Sequence, residues 1–234
     1  MSQSAAVIAA ANSKGGCGKS TTIIILAGEY AAQGYLVHII DADPKKRLIR
    51  WAQAGVKPDS ITVSEANAGN MRDEIEKARA LAEVVLIDVE GTANAALTLA
   101  VAYANLVIVP ATISPPDVED GLATIKLIQD MAHASRRHIP HGFLWSNVPP
   151  AIRSREMINL EAQVAEAKIA VIARIFQRSA FAAMFSFATT LDQLPASEVA
   201  GIDKAKSDAI RLTDAIDLMI NARPESVTKR EAAA

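Results

Sequence analysis

Short apolar runs alternate along the chain with longer segments whose apolar positions recur at helical spacing. The runs at 5–12, 36–41, 61–66, 83–91, 105–112, 141–148 and 168–175 read as strands. Several, such as "EVVLIDVEG" and "NLVIVPAT", are apolar almost throughout, as strands buried on both faces are. Between them, 19–34, 44–55, 69–82 and 115–132 read as helices, and 202–222 as a C-terminal one. Gly34 closes the first helix, and Pro44 and Gly55 bracket the second. This alternation predicts a single α/β domain with a mostly parallel sheet and helices on both faces, joined by right-handed crossovers. The domain is expected to span residues 1–221, with the polar stretch 222–234 as a disordered tail. The segment "RSAFAAMFSF" (178–187) puts Phe181 and Phe185 on one face if helical. It is read as core packing, with a subunit or partner surface as the alternative.

Composition narrows the functional classes. Of 234 residues, 50% are apolar but only 4% aromatic, so Ala, Ile, Val and Leu must fill the core. The formal net charge of −2 gives no global attraction to nucleic acid or anionic lipid. That figure conceals an uneven spread. Residues 61–135 carry 4 basic and 11 acidic side chains, whereas 136–178 carry 7 basic and 3 acidic. Arg153, Arg155, Arg174 and Arg178 in the second stretch are candidates for DNA phosphate contacts without base readout; the alternative is that they are solvated or pair with local acids. One cysteine excludes internal disulfides and all-cysteine metal cages. The N-terminus lacks a secretory pattern, and no apolar run approaches the ~20 residues of a membrane helix. A cytoplasmic protein is expected.

The stretch "NSKGGCGKST" (12–21) lies between the first strand and the first helix. Its glycines let backbone N–H groups turn inward around phosphate oxygens, and the following helix points its positive end at them. The standard phosphate-loop pattern has glycine where this chain has Lys14, so the loop is a variant with a second lysine. Gly15, Gly16, Cys17 and Gly18 would form the cradle. Lys19 would reach the β- and γ-phosphates, Ser20 would ligate Mg²⁺ and Thr21 would contact the α-phosphate. Cys17 needs only to be small.

This variant loop resembles the deviant Walker A motif of the ParA/MinD family of P-loop ATPases. "DADP" (41–44) resembles that family's second motif, and "VVLIDVEGT" its Walker B, with Asp88 ending an apolar strand. "LVIVPATISPPDVEDG" resembles the segment that follows in small ParA-type DNA-segregation proteins. The resemblance implies an α/β domain that sandwiches ATP between two subunits. It implies that Lys14 crosses to the partner subunit's nucleotide, coupling ATP binding to homodimerisation. It implies that Asp43 orients or activates the attacking water, and that Asp41 and Asp88 hold Mg²⁺ through water. Asn147, in "SNVPP" (146–150), becomes a candidate adenine contact. Asp43 is also placed to cap the helix that Pro44 would open.

Two departures stand out. Lys45 replaces the family's usual glutamine, and Val89-Glu90-Gly91 follow the Walker B aspartate where small residues or prolines are usual. Both bear on turnover more than on binding. The expected function is a slow, partner-stimulated ATPase that dimerises on ATP. The dimer binds DNA non-specifically and partitions plasmid, chromosome or other cargo with a ParB-like or other partner protein. A MinD-like positioning ATPase, a conjugative DNA-processing ATPase, an ATP-dependent metabolic ligase and a binding scaffold with negligible turnover are the alternatives. The MinD-like role ranks low because "RPESVTKREAAA" has no basic amphipathic face for a membrane.

Overall fold

The computed structural model describes residues 5–91, 94–150 and 154–222. Seven strands form one parallel sheet in the order β3-β2-β4-β1-β5-β6-β7. They are β1 (Ala6–Asn12), β2 (Val37–Asp41), β3 (Ile61–Glu65), β4 (Val84–Glu90), β5 (Leu106–Ala111), β6 (His141–Val148) and β7 (Val171–Phe176). The helices are α1 (Lys19–Ala32), α2 (Arg47–Ala54), α3 (Met71–Leu81), α4 (Ala95–Tyr103), α5 (Pro115–Ser135), α6 (Arg155–Glu166), α7 (Ser179–Ser186) and α8 (Ile202–Asn221).

The central strands are apolar on both faces because helices cover both. Along β1, Val7, Ala9 and Ala11 join the core beneath α3, α4, α5 and α6. Ile8 and Ala10 join the opposite core beneath α1, α2, α7 and α8. This alternation follows from the two-residue period of a strand. At the edges the burial weakens: β7 has one buried position, and β3 likewise. Helix α5 approaches the sheet closely at Gly121, where an added Cβ would lie 2.8 Å from the Phe143 ring. Phe143 and Trp145 pack edge to face 4.8 Å apart beneath it.

All seven expected strands are present. Helix boundaries shift by up to three residues: α5 runs on to Ser135, past the expected 132, and α2 begins at Arg47, not at Pro44. The cause at α2 is a long-range cap. The Asp41 carboxylate accepts the N–H groups of Leu48 (2.9 Å) and Ile49 (3.0 Å), so Asp41, not Asp43, holds the helix start. Asp43 instead accepts the N–H of Lys45 (2.8 Å) and closes a turn. The expected tail lies almost wholly outside the described residues.

Candidate functional site

The loop joining β1 to α1 lies at the carboxyl end of the sheet, where α/β folds place their ligands. Asn12 anchors its first residue. Its side-chain amide donates to the Pro110 carbonyl (2.7 Å), and its Oδ1 accepts the Lys14 N–H (2.9 Å). The loop then turns through Gly16 and Gly18, with φ of 87° and 101°, a left-handed backbone that glycine adopts at little cost. Gly91 at the end of β4 backs the loop; a Cβ there would stand 2.3 Å from the Asn12 carbonyl carbon. Ser146 on β6 donates to the Cys17 carbonyl (2.5 Å). Cys17 is fully buried, and burial pushes its thiol pKa up, which fits an inert small filler.

Lys19 is 6% exposed. Its ammonium donates to the carbonyls of Asn12 (2.9 Å) and Lys14 (3.1 Å), which hold it inside the loop. The Ser20 hydroxyl donates to Asp88 Oδ2 (2.6 Å). Asp88 Oδ1 is buried and has no hydrogen-bond partner among the described residues. Burial pushes the Asp88 carboxyl up to about 7, against the lowering pull of the Ser20 hydrogen bond and the Lys19 charge. Asp41 stands beside Asp88 in register on the neighbouring strand. Its carboxyl is also raised by burial, and its oxygens are taken by three backbone N–H groups, those of Asp43, Leu48 and Ile49.

Two cavities open around the loop. One of about 220 Å³ is walled by Gly15, Gly16, Gly18, Lys19, Ser20 and Thr21 together with Asp43, Lys45, Arg47 and Phe185. The second, about 550 Å³, shares Gly16, Gly18 and Thr21 and extends over Ile25, Asn147, Phe176, Arg178 and Phe181. Asn147 is exposed at its rim with φ of 52°. Phe181 and Met184 are core residues, as read from the sequence, whereas Phe185 faces both cavities.

Lys14 lines neither cavity. Its ammonium lies 3.9 Å from Asp117 of α5, whose other oxygen accepts the Thr112 hydroxyl (2.6 Å). Glu90 is half-buried at the end of β4 and also lines neither cavity. The four arginines expected to bind DNA do not form one free face. Arg178 is paired with Asp208 at 2.5 Å, lies 5.6 Å from the Phe176 ring centroid and walls the larger cavity. Arg174 is paired with Glu161 at 2.7 Å, and Arg155 is exposed at the start of α6. Arg153 lies outside the described residues. Arg136 and Arg137 are exposed at the opposite end of the molecule, beyond the end of α5. No residue local to Lys14 or Arg178 signals these pairings; Asp117 and Asp208 are far along the chain.

The raised Asp88 pKa carries a pH dependence. Between the usual carboxylate value of 3.8 and about 7, the unfolded chain has released the Asp88 proton while the folded one keeps it, so this group lowers stability as pH rises across that window. Above about 7 its contribution is flat. In EDTA, Asp88→Asn should therefore gain melting temperature over wild type progressively from pH 5 to 7.5. A constant difference across that range would show that Asp88 ionises normally.

Comparison with known proteins agrees with this fold. A model of the family described as "VirC1 protein" matches residues 5–214. Protein ParA of Rhizobium radiobacter is 32% identical over 219 residues, covering 90% of this chain and 99% of that protein. Among solved structures, apo McdA from Cyanothece superposes with a TM-score of 0.69 at 14% identity, covering 88% of this chain and 99% of that one. A Borrelia burgdorferi putative plasmid partition protein bound to AMPPNP superposes with a TM-score of 0.67 at 14% identity, covering 91% and 98%. The family match over nearly the whole described chain, with a relative 32% identical over 90% of it, places this chain in the VirC1 family and in the ParA/MinD family of P-loop proteins.

Proposed function

We propose that this chain is an ATPase that dimerises on binding ATP and Mg²⁺, and whose dimer binds DNA without sequence readout to partition or position a cargo with a partner protein. The observation that carries the reading is the loop itself. A glycine cradle with a buried lysine ammonium stands beside a Ser20–Asp88 pair that retains one unpartnered buried oxygen. The residues fit both groups. Oxygen donors from Ser20 and Asp88 suit Mg²⁺, which would offset charge on the phosphates. Gly15 to Thr21 supply backbone N–H groups and the helix α1 N-terminus to the phosphates. The 550 Å³ cavity is of ligand-site size, with apolar walls for a base and Asn147 at the rim for a polar edge. Asp43 is the water-orienting group. Asp41, its oxygens occupied by backbone donors, serves by holding the segment that carries Asp43.

Lys14 is surplus to its own site. Its side chain is 42% exposed and turned toward Asp117, outside the cavity that Lys19 and Ser20 line. A face-to-face dimer would bring together about eight negative charges on two ATP molecules, and crossed lysines would offset them where water is excluded. DNA contacts fall to exposed basic residues such as Arg155, each weak alone and doubled in the dimer. The relative named Protein ParA supports the partition reading. Among the described residues no helix is long and apolar enough to cross a membrane.

The test uses Lys14→Gln in an Asp43→Ala background, where slow turnover preserves bound ATP. ATP affinity should stay within a few-fold of the parent. The ATP-dependent dimer seen by light scattering should disappear, and DNA binding should fall with it. Normal dimerisation of this variant would refute the trans role of Lys14.

A further inference from the structure

We propose that Lys45 is a second terminal-phosphate ligand, supplied within the same subunit, that makes the site prefer ATP over ADP. The proposal rests on the ATP reading above and assigns a residue that reading leaves idle.

Local structure puts Lys45 there. The Asp43 carboxylate accepts the Lys45 N–H (2.8 Å), and Lys46 follows in a left-handed conformation with φ of 48°. This turn carries the Lys45 side chain back toward the glycine loop. A Cβ built on Gly15 would meet Lys45 Nζ at 3.5 Å, so the ammonium lies in ordinary contact range of the loop at Gly15. It shares the 220 Å³ cavity with Lys19, Ser20, Asp43 and Arg47.

The charges in that wall are unbalanced. Lys19, Lys45 and Arg47 face a single carboxylate, Asp43. The neighbouring Lys46 is ion-paired with Glu65, and Lys14 lies near Asp117. Lys45 has no ion-pair partner among the described residues. Cations gathered in one concavity raise the local concentration of anions and strengthen their binding. Lys19 approaches the phosphates from within the loop, held at the Asn12 and Lys14 carbonyls. Lys45 reaches the same cavity from the Asp43 turn, beside Gly15, where it would meet the nucleotide's terminal phosphate. ADP lacks that phosphate and would leave Lys45 with water.

A glutamine at this position, as in the family pattern, offers a neutral amide. Lysine offers a full charge. A charge-assisted contact to phosphate adds roughly tenfold in affinity. The charge also supplies, in the monomer, part of the neutralisation that Lys14 supplies only in the dimer.

Calorimetry with Mg²⁺ and AMPPNP or ADP tests this on wild type, Lys45→Gln and Lys45→Arg. Lys45→Gln should weaken AMPPNP by roughly tenfold while changing ADP by less than threefold. It should also flatten the salt dependence of AMPPNP binding. Lys45→Arg should retain most of the preference, because the charge is kept. Retained ADP binding shows that the variants fold. Equal losses for both nucleotides, or none, would overturn the assignment of Lys45 and leave the ATP reading standing. Failure of wild type to bind either nucleotide would overturn both.

Discussion

Lys19→Ala should lose ATP affinity by at least about a hundredfold. Two charge-assisted contacts, at ~1.5–3 kcal/mol each, account for a loss of that size or more. The structure shows why no neighbour can substitute. The ammonium is buried and oriented by two loop carbonyls, so it meets the phosphates already desolvated and placed. Lys45 and Arg47 line the same cavity but are exposed to solvent. Removing Lys19 also leaves the Asn12 and Lys14 carbonyls without that donor, and withdraws a charge that lowers the Asp88 pKa. Asp88 should then hold its proton to still higher pH, weakening Mg²⁺ binding as a second consequence. Lys19→Arg should not rescue. A planar guanidinium does not fit a slot built around one ammonium between two carbonyls. Calorimetry at constant Mg²⁺ measures all three proteins. ATP affinity of Lys19→Ala within threefold of wild type would remove the loop from the binding site.

What could be read along the chain was what local sequence controls. The strands at the sheet centre announced themselves because burial on both faces demands unbroken apolar runs, as in Val84–Ile87. The phosphate loop was legible because its glycines, lysines and hydroxyls are contiguous. Helix α4 was not, for the same physical reason reversed: "AALTLAVAY" is apolar nearly all round, so no polar face marks its period. The start of α2 was misplaced because a local rule, proline in the first turn, competed with a cap from Asp41 seven residues before Leu48. The DNA face was over-read for a similar reason. Counting charges along 136–178 treats Arg178 as free, but folding buries Asp208 against it, and a buried carboxylate holds its arginine firmly. Lys45 stood out in the sequence only as a departure; its place beside Gly15 required the turn at Asp43 and Lys46.

Asp43→Ala should reduce ATP turnover by at least about 10²-fold, the usual scale of a lost base or water-orienting group, a larger effect than any on nucleotide affinity. Three aspartates lie at the strand ends, and their environments assign the role. Asp41 is 1% exposed and its oxygens are taken by backbone donors. Asp88 is fully buried, accepts Ser20 and is raised to about 7. Asp43 alone lines the 220 Å³ cavity, half-exposed, with one oxygen on the Lys45 N–H. The other oxygen is available to a water at the phosphate end. Two effects on affinity oppose each other: alanine removes the one negative group in a wall of three cations, and it also removes the acceptor of the Lys45 N–H that shapes the turn carrying Lys45. The ATP dimer should accumulate as hydrolysis slows. Asp43→Asn separates charge from geometry. Its amide oxygen can still accept the Lys45 N–H, so the turn and the position of Lys45 survive. If Asp43 acts by its charge, the asparagine variant should be nearly as slow as the alanine one. Near-normal turnover in Asp43→Asn would mean that the carboxylate matters only for shaping the turn. Near-normal turnover in both variants would move the water-orienting role elsewhere, with Glu90 at the end of β4 the next carboxylate to replace.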